Sequence, residues 1–315
     1  GTGAAMASLS ESGTLWYVTG ESMGRLILSD ASGAGAPLFD DRRLYRYPRF
    51  SPDGRKVAVG VTSGPVTDIW VYDRVNRTFQ KLTTVGDAST PEWSPDGKHI
   101  LFRSVQSGKN EIWWLPSDGS GKAEPLYQGE PVNEAVISPD AKWLLYRTSP
   151  ASKFSRDIFA LPLTGSDRKP ILLVGGPSQE SHPRLSPDGK WLAYQSNESG
   201  RFEVYVRPFP NEGARTQVST SGGQEPIWSR SGNELYYRTS AGITSTTVTT
   251  GATFSIRARK LVLPSGATDD LTHQNYDVSA DGRFLTVMAS GGGASAILVH
   301  NWARDLREKL AVGKR

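Results

Sequence analysis

Short apolar segments alternate with polar turns along the whole chain. Between residues 46 and 83, apolar side chains cluster at 56–61, at 68–73 and again at 79–83. Runs of four to eight residues that are rich in β-branched and aromatic side chains and bounded by turn residues predict β-strands. The same order of strands recurs in later stretches, and helical periodicity is absent before residue 302. The pattern therefore predicts an all-β protein.

A Ser-Pro-Asp-Gly turn, or a degraded copy of it, separates two strands in each stretch. Intact copies begin at Ser51, Ser94 and Ser186, and degraded ones begin at Ser10, Ser138, Ser229 and Ser279. The serines are 41, 43, 44, 48, 43 and 50 residues apart. A period of about 45 residues with short strands is typical of a β-propeller built from four-stranded antiparallel blades. We expect seven blades, with six as the alternative.

These turn positions also predict how the chain is divided. The propeller is expected to occupy residues 1–300, with repeats that start near residues 4, 46, 89, 133, 181, 224 and 274. Residues 301–315 are expected to form a short C-terminal helix and tail, because Asn301 can cap a helix that carries Trp302, Leu306 and Leu310 on one face. Seven blades use up the 315 residues, so no separate catalytic domain is expected.

The repeated serines have a structural explanation. In each turn, Pro sets the backbone angle of the second position, Asp accepts backbone hydrogen bonds and Gly adopts the left-handed conformation. A nucleophilic role for these serines is disfavoured, since an active site has no use for a copy in every blade. Ala141 stands at one of the glycine positions, where we expect slight strain.

Composition excludes several functions. The net charge is +4, from 36 basic and 32 acidic residues, and no basic stripe is interleaved with aromatic side chains, so nucleic-acid binding is not expected. Cysteine is absent, which excludes disulfides and thiolate chemistry. No apolar run is long enough to span a membrane. A monomeric domain that binds a protein, a peptide or a small molecule is the resulting expectation.

The repeat resembles that of a known family. A strand, the Ser-Pro-Asp-Gly turn, an apolar strand, an acidic residue and a strand such as Ile69-Trp70-Val71 or Val204-Tyr205-Val206 follow one another as in the TolB-like, or PD40, propeller repeat, which is WD40-like. The resemblance covers essentially the whole chain. It implies an extracytoplasmic domain, periplasmic or at the cell surface, with no agreed active site.

A closer likeness is to propellers that follow bacterial serine/threonine kinase domains. It is carried by residues 203–210, 275–279 and 298–302. This resemblance implies a sensor or interaction domain of a larger bacterial protein. The kinase motifs themselves are absent from the chain, so phosphoryl transfer is not expected.

Register relative to the turns predicts a ligand site at the mouth of the central channel. Because side chains alternate along a strand, residues four and two places before each turn serine are expected on one face, toward the channel. We call these the −4 and −2 positions. The candidate ligand-binding residues among them are Tyr47, Arg49, Thr90, Glu92, Glu134, His182, Arg184, Glu225, Asn275 and Asp277.

Two interpretations of this set remain open. In the first, the channel is filled with water and hydrogen bonds, and Arg49 and Arg184 neutralise the acids. In the second, oxygen ligands hold Ca²⁺, the only candidate cofactor, and the protein is a metal-dependent hydrolase of esters, lactones or phosphotriesters. The candidate metal ligands are Glu92, Glu134, Glu225, Asn275 and Asp277, and the candidate bases are His182, His273 and Glu134. The common hydrolase motifs are absent, and a non-catalytic binding domain is the leading hypothesis.

Overall fold

Strands are the elements that form the described part of the protein. The computed structural model describes residues 7–10, 14–19, 23–149, 156–165, 168–264, 275–289, 295–299 and 302. In chain order the strands are β1 (Ala7–Leu9), β2 (Leu15–Thr19), β3 (Gly24–Ser29), β4 (Gly35–Pro37), β5 (Leu44–Phe50), β6 (Lys56–Ser63), β7 (Val66–Asp73), β8 (Thr78–Lys81), β9 (Ser89–Trp93), β10 (His99–Ser104), β11 (Glu111–Pro116), β12 (Glu124–Tyr127), β13 (Val132–Ile137) and β14 (Trp143–Thr148). They continue with β15 (Ile158–Pro162), β16 (Ile171–Val174), β17 (Glu180–Leu185), β18 (Trp191–Ser196), β19 (Glu203–Pro208), β20 (Thr216–Gln217), β21 (Gln224–Trp228), β22 (Glu234–Thr239), β23 (Gly242–Thr250), β24 (Phe254–Pro264), β25 (Tyr276–Val278), β26 (Phe284–Ala289) and β27 (Ser295–Val299).

Six four-stranded antiparallel sheets form the blades of a propeller. Blades 1 to 5 are the consecutive groups β5–β8, β9–β12, β13–β16, β17–β20 and β21–β24. Blade 6 has the order β25-β26-β3-β4, so strands from both ends of the chain complete it. The expected fold class is therefore confirmed, and the alternative count of six blades is the right one.

The expectation of seven blades is wrong because the first repeat does not form a blade of its own. Its later strands close the ring, because β3 pairs with β26 and β4 pairs with β3. Its first strands, β1 and β2, instead join β27 in a separate three-stranded sheet. Pairing early strands with late ones ties the two ends of the ring together through backbone hydrogen bonds, which leaves fewer exposed sheet edges. The predicted C-terminal helix falls on residues 301–315, which lie outside the described residues except for Trp302.

Apolar side chains pack between neighbouring blades rather than at one central core. Each of the six junctions between blades has its own buried cluster. At the closing junction, Leu26, Leu285 and Val287 of blade 6 pack against Tyr45 and Val57 of blade 1. Burial of apolar surface stabilises a fold by about 25 cal/mol per Å². Because each junction buries its own cluster, each one contributes to the stability of the ring. In the described part of the chain, no helix has the length and apolar character that crossing a bilayer requires.

The Ser-Pro-Asp-Gly hairpins have the structural role expected of them. Ser51 Oγ donates to Asp53 Oδ1 at 2.6 Å and accepts from the N–H of Lys56 at 2.9 Å. The N–H of Gly54 donates to the carbonyl of Ser51, and Gly54 has a φ of 71°. Ala141 is held at a φ of 58°, in the same left-handed region, where a Cβ is disfavoured.

Ala141→Gly is expected to stabilise the protein by about 1 kcal/mol, because glycine relieves this backbone strain. The free energy of unfolding in urea measures the effect. Ala31→Gly is the matched control at an exposed turn position outside the left-handed region, and it should be neutral or destabilising. Equal effects of the two substitutions would contradict strain at Ala141.

Leu26→Ala is expected to destabilise the protein by about 2–5 kcal/mol, since it opens a cavity where the two ends of the chain close the ring. Leu26 is 1% exposed, whereas Leu172, on an outer strand, is 56% exposed. Leu172→Ala is therefore the control and should cost less than about 1 kcal/mol. Similar losses for both variants in urea unfolding would show that the closing junction does not carry stability.

Candidate functional site: a funnel at the channel mouth

A cavity of about 350 Å³ opens at the end of the channel where the turns lie. We call it the funnel. Three positions of the repeat line it: the residue that follows the turn serine, the residue directly before that serine, and the −2 residue. They give the rim Pro52, Pro95, Pro139, Pro187 and Arg230, the wall Phe50, Trp93, Ile137, Leu185, Trp228 and Val278, and the floor Arg49, Glu92, Arg184, Ile227 and Asp277.

An ion-pair cluster lies at the floor. Arg49 Nε lies 2.7 Å from Glu92 Oε1, and Arg184 Nη2 contacts the same oxygen. The three residues come from blades 1, 2 and 4, so the cluster bridges strands on opposite sides of the ring. Asp277 Oδ2 accepts a hydrogen bond from the N–H of Phe50 at 2.7 Å, and burial raises the pKa of this carboxyl despite the nearby Arg49. The interpretation that Arg49 and Arg184 neutralise the acids of the channel therefore holds for Glu92.

Two indole rings are fixed in the wall. Trp93 Nε1 donates to the carbonyl of Arg49 at 3.1 Å, and Trp228 Nε1 donates to the carbonyl of Arg184 at 3.0 Å. In each case the carbonyl belongs to the −2 residue of the preceding blade. The hydrogen bond satisfies the polar edge of the ring and fixes its orientation, so each indole contributes to the funnel as a positioned apolar surface.

The −4 residues have different surroundings, because the inner strands bulge there. Tyr47, Thr90, His182 and Glu225 have φ values of 57°, 52°, 57° and 55°. The pairing of each of these strands with its neighbour shifts at the same point. A bulge interrupts the simple alternation of side chains. The expectation that the −4 and −2 positions share one face is therefore wrong in these blades.

Side chains of the preceding blade take up the backbone groups that the bulges free. The N–H of Tyr47 donates to Asn275 Oδ1 at 3.0 Å, and that of His182 donates to Glu134 Oε1 at 2.8 Å. The N–H of Glu225 donates to the side chain of Gln195 at 2.8 Å. Two residues that were predicted to bind a ligand or metal, Glu134 and Asn275, therefore accept hydrogen bonds that join one blade to the next.

The buried acids of the −4 set are also paired with arginines. Arg147 Nε lies 2.7 Å from Glu134 Oε1, and Arg238 Nε lies 3.2 Å from Glu225 Oε2. Burial raises the pKa of Glu225 to about 7, although Arg238 opposes this shift. These contacts give Oε1 of Glu134 and Oε2 of Glu225 partners inside the protein.

His182 is 1% exposed, and neither of its ring nitrogens has a hydrogen-bond partner among the described residues. Burial lowers the pKa of His182 to about 4, against the attraction of Glu134. An enclosed imidazole that stays neutral at pH 7 lacks access to a substrate in the funnel. His273, the other predicted histidine base, lies outside the described residues.

The predicted site residues thus separate into two groups. Arg49, Glu92, Arg184 and Asp277 line the funnel. The remainder are not among the residues that line it, namely Tyr47, Thr90, Glu134, His182, Glu225 and Asn275. Within the described ranges, no three His, Cys, Asp or Glu residues come together in a way that could hold a metal ion. Calcium binding stays a prediction.

Sequence reasoning missed Trp93, Trp228 and Arg230. A signal for the first two was present, because each directly precedes a turn serine and the turns surround the channel mouth. The signal for Arg230 was its occurrence at a position where four other turns carry proline. Both signals depend on using the turns themselves, rather than only the strand before them, to locate the site.

A ring of six four-stranded blades around a lined channel defines a β-propeller. Residues 40–171 match the family model described as TolB beta propeller domain, PD40. This match confirms the resemblance that was predicted from the repeat.

Individual relatives agree with the family match. The chain is 29% identical over 97 residues to the Tol-Pal system protein TolB of Anaeromyxobacter dehalogenans (strain 2CP-C), covering 30% of this chain and 22% of the relative. It is 28% identical over 206 residues to the TolB of Gluconobacter oxydans (strain 621H), covering 49% and 45%. The chain thus spans less than half the length of either relative. The solved structure of putative TolB from Agrobacterium tumefaciens superposes with a TM-score of 0.65 at 18% identity, covering 86% of this chain and 99% of that one, which shows a shared fold.

The pH dependence of stability should report the buried His182. Because the pKa of His182 is about 4 when folded and about 6.5 when unfolded, the unfolded state takes up a proton first as the pH falls. Glu225, whose pKa is raised to about 7, stabilises the folded state as the pH falls below 7, whereas His182 contributes a loss of stability between pH 6.5 and 4, by up to about 1.4 kcal/mol per unit. His182→Asn, which places there the residue that blade 6 has at this position, should remove this contribution. Urea unfolding at pH 7 and pH 5 measures it.

His99→Asn is the control for this measurement, because His99 is partly exposed and stacks on Trp114 with ring centroids 4.4 Å apart. It should keep the pH dependence of the wild-type protein. If His182→Asn keeps it too, His182 is not the group that titrates.

Proposed function

We propose that this chain is a binding domain that takes a protein or peptide into the funnel, as the sensor or interaction domain of a larger bacterial protein. The observation that carries the proposal is the pair of fixed indoles, Trp93 and Trp228, above a floor of paired charges. Positioned aromatic side chains and arginines are the groups that contribute most to binding in protein interfaces. Here they are gathered in one cavity that opens to solvent.

The comparisons support a protein partner rather than a small metabolite. The relatives carry the name Tol-Pal system protein TolB. Because this chain covers less than half of either relative, a place in such a system is part of the proposal. We further propose an extracytoplasmic location, periplasmic or at the cell surface, on the strength of the same family resemblance.

The alternative function, a calcium-dependent hydrolase, is not favoured by a specific observation. Glu134 and Glu225 bond to arginines and to the backbone of the next blade, and Glu92 is shared by Arg49 and Arg184. A metal site would require these contacts to be broken. We therefore carry forward the non-catalytic proposal.

Trp93→Ala and Trp228→Ala are each expected to weaken peptide binding about tenfold or more, since each removes an aromatic side chain that lines the funnel. The probe is a peptide selected from a random library by panning against the wild-type protein. Isothermal titration calorimetry gives the affinities, and melting curves confirm that the variants fold.

Trp70→Ala is the matched control. Trp70 packs on Phe79 and under Arg43 at the outer side of blade 1, beside a second cleft lined by Leu38, Phe39 and Tyr72. Its removal should leave the affinity unchanged. If Trp70→Ala abolishes binding while both funnel variants retain it, the partner binds at the outer cleft and the proposed site is wrong.

A further inference from the structure

One rim position of the funnel departs from the repeat. Four blades place proline directly after the turn serine and blade 6 places Ala280 there, whereas blade 5 places Arg230 there, at the rim. The turn of blade 5 nevertheless closes in the same way: the N–H of Gly232 donates to the carbonyl of Ser229 at 3.0 Å, and Gly232 has a φ of 75°. Because the proline turns of other blades make the same hydrogen bond, the turn does not require an arginine at this position. The presence of Arg230 at the rim therefore needs another explanation.

The charges around Arg230 favour an anion. Arg230 is exposed, and no ion pair of it is seen within the described residues. With Arg49 and Arg184 it places three positive charges in the funnel, against the two acids Glu92 and Asp277. Glu92 is shared by both floor arginines, and Asp277 accepts hydrogen bonds from backbone N–H groups and is attracted by both Arg49 and Arg230. The funnel therefore has an excess of one positive charge, exposed at its rim.

The funnel also continues into an apolar groove. A cavity of about 680 Å³ between blades 2 and 3 shares Ser94, Pro95, Ile137 and Pro139 with the funnel. Its further lining includes Trp114, Leu126 and Leu163, with His99 stacked on the indole. Arg168 and Asp96 both line this groove, so it adds no net charge to the excess positive charge of the funnel. Funnel and groove together form one elongated surface that combines an apolar centre with positive charge.

We propose that the occupant is an extended acidic peptide segment. An aspartate or glutamate side chain of the segment pairs with Arg230 at the rim, the segment crosses the funnel, and a bulky apolar side chain further along it lies in the groove between blades 2 and 3, on the opposite side of the ring. This inference rests on the proposed function and names the chemistry of its partner. Charge complementarity carries it, because a carboxylate fits the planar guanidinium and supplies the missing negative charge.

The test uses a library of acetylated, C-terminally amidated random hexapeptides, passed over the immobilised wild-type chain and over Arg230→Pro. Proline is the rim residue of four other blades, so this variant should fold normally, and Arg230→Gln serves if it does not. Retained peptides are identified by mass spectrometry. The best acidic peptide and its Asp→Asn or Glu→Gln counterpart are then titrated by calorimetry in 50 mM salt.

The wild-type chain should retain peptides enriched in acidic residues that also carry a bulky apolar residue separated from the acidic one along the peptide. The amide counterpart should bind the wild-type chain about fivefold more weakly than the acidic peptide does, as expected for one partly exposed charge pair. Arg230→Pro should bind the acidic peptide and its amide counterpart about equally. The preference of the wild-type chain for the acidic peptide over its amide counterpart should become smaller in high salt. Arg257→Ala, at an exposed arginine on β24, should behave as the wild type.

The outcomes separate the two proposals. Peptides that bind without acidic enrichment, or an acidic preference that persists in both Arg230 variants, would overturn the inference and leave the proposed function standing. If the wild-type chain retains no peptide, both proposals fail.

Discussion

The left-handed bulge of the inner strands determines how the blades join and what the channel contains. A residue other than glycine costs on the order of 1–3 kcal/mol in this conformation. At Tyr47, His182 and Glu225 the freed N–H binds a side chain of the preceding blade. The hydrogen bond offsets this strain, because a buried N–H without an acceptor would cost a similar amount of folding free energy. Strain and inter-blade contact are thus parts of one arrangement.

This arrangement also separates the polar side chains that join neighbouring blades from those that line the funnel. Two places further along each strand, the chain leaves the bulge and its side chains face the funnel, as Arg49 and Arg184 do. Polar residues that look alike in sequence therefore differ in role. Glu134 connects two blades, whereas Glu92 pairs with the two arginines at the floor of the funnel.

The sequence was sufficient for the fold class, since periodic turns and short apolar strands follow from local chemistry alone. It was insufficient for the count of blades, because β3 pairs with β26 across almost the whole chain and such pairing has no local signal. It was also insufficient for the site. Strict alternation from Ser186 back to His182 assumes an unbroken strand, and the positive φ of His182 breaks it. Trp93 and Trp228 were overlooked because the turn residues were considered only as structural.

Departures from a repeat are more informative than the repeat itself. Blades 1 and 4 lie opposite each other in the ring and carry Arg49 and Arg184, and blades 2 and 5 carry Trp93 and Trp228, so the funnel approximates two-fold symmetry. The symmetry fails where Glu92 faces Ile227, so that a single carboxylate serves both arginines. Glu92 and Asp277 together match the two floor arginines in number, and Arg230 adds the unbalanced positive charge on the blade that lacks the acid. Stability alone gives no reason to concentrate like charges at an opening, because their repulsion opposes folding. A negatively charged partner gives that reason, and it would gain most from the side of the ring where blade 5 carries no acid.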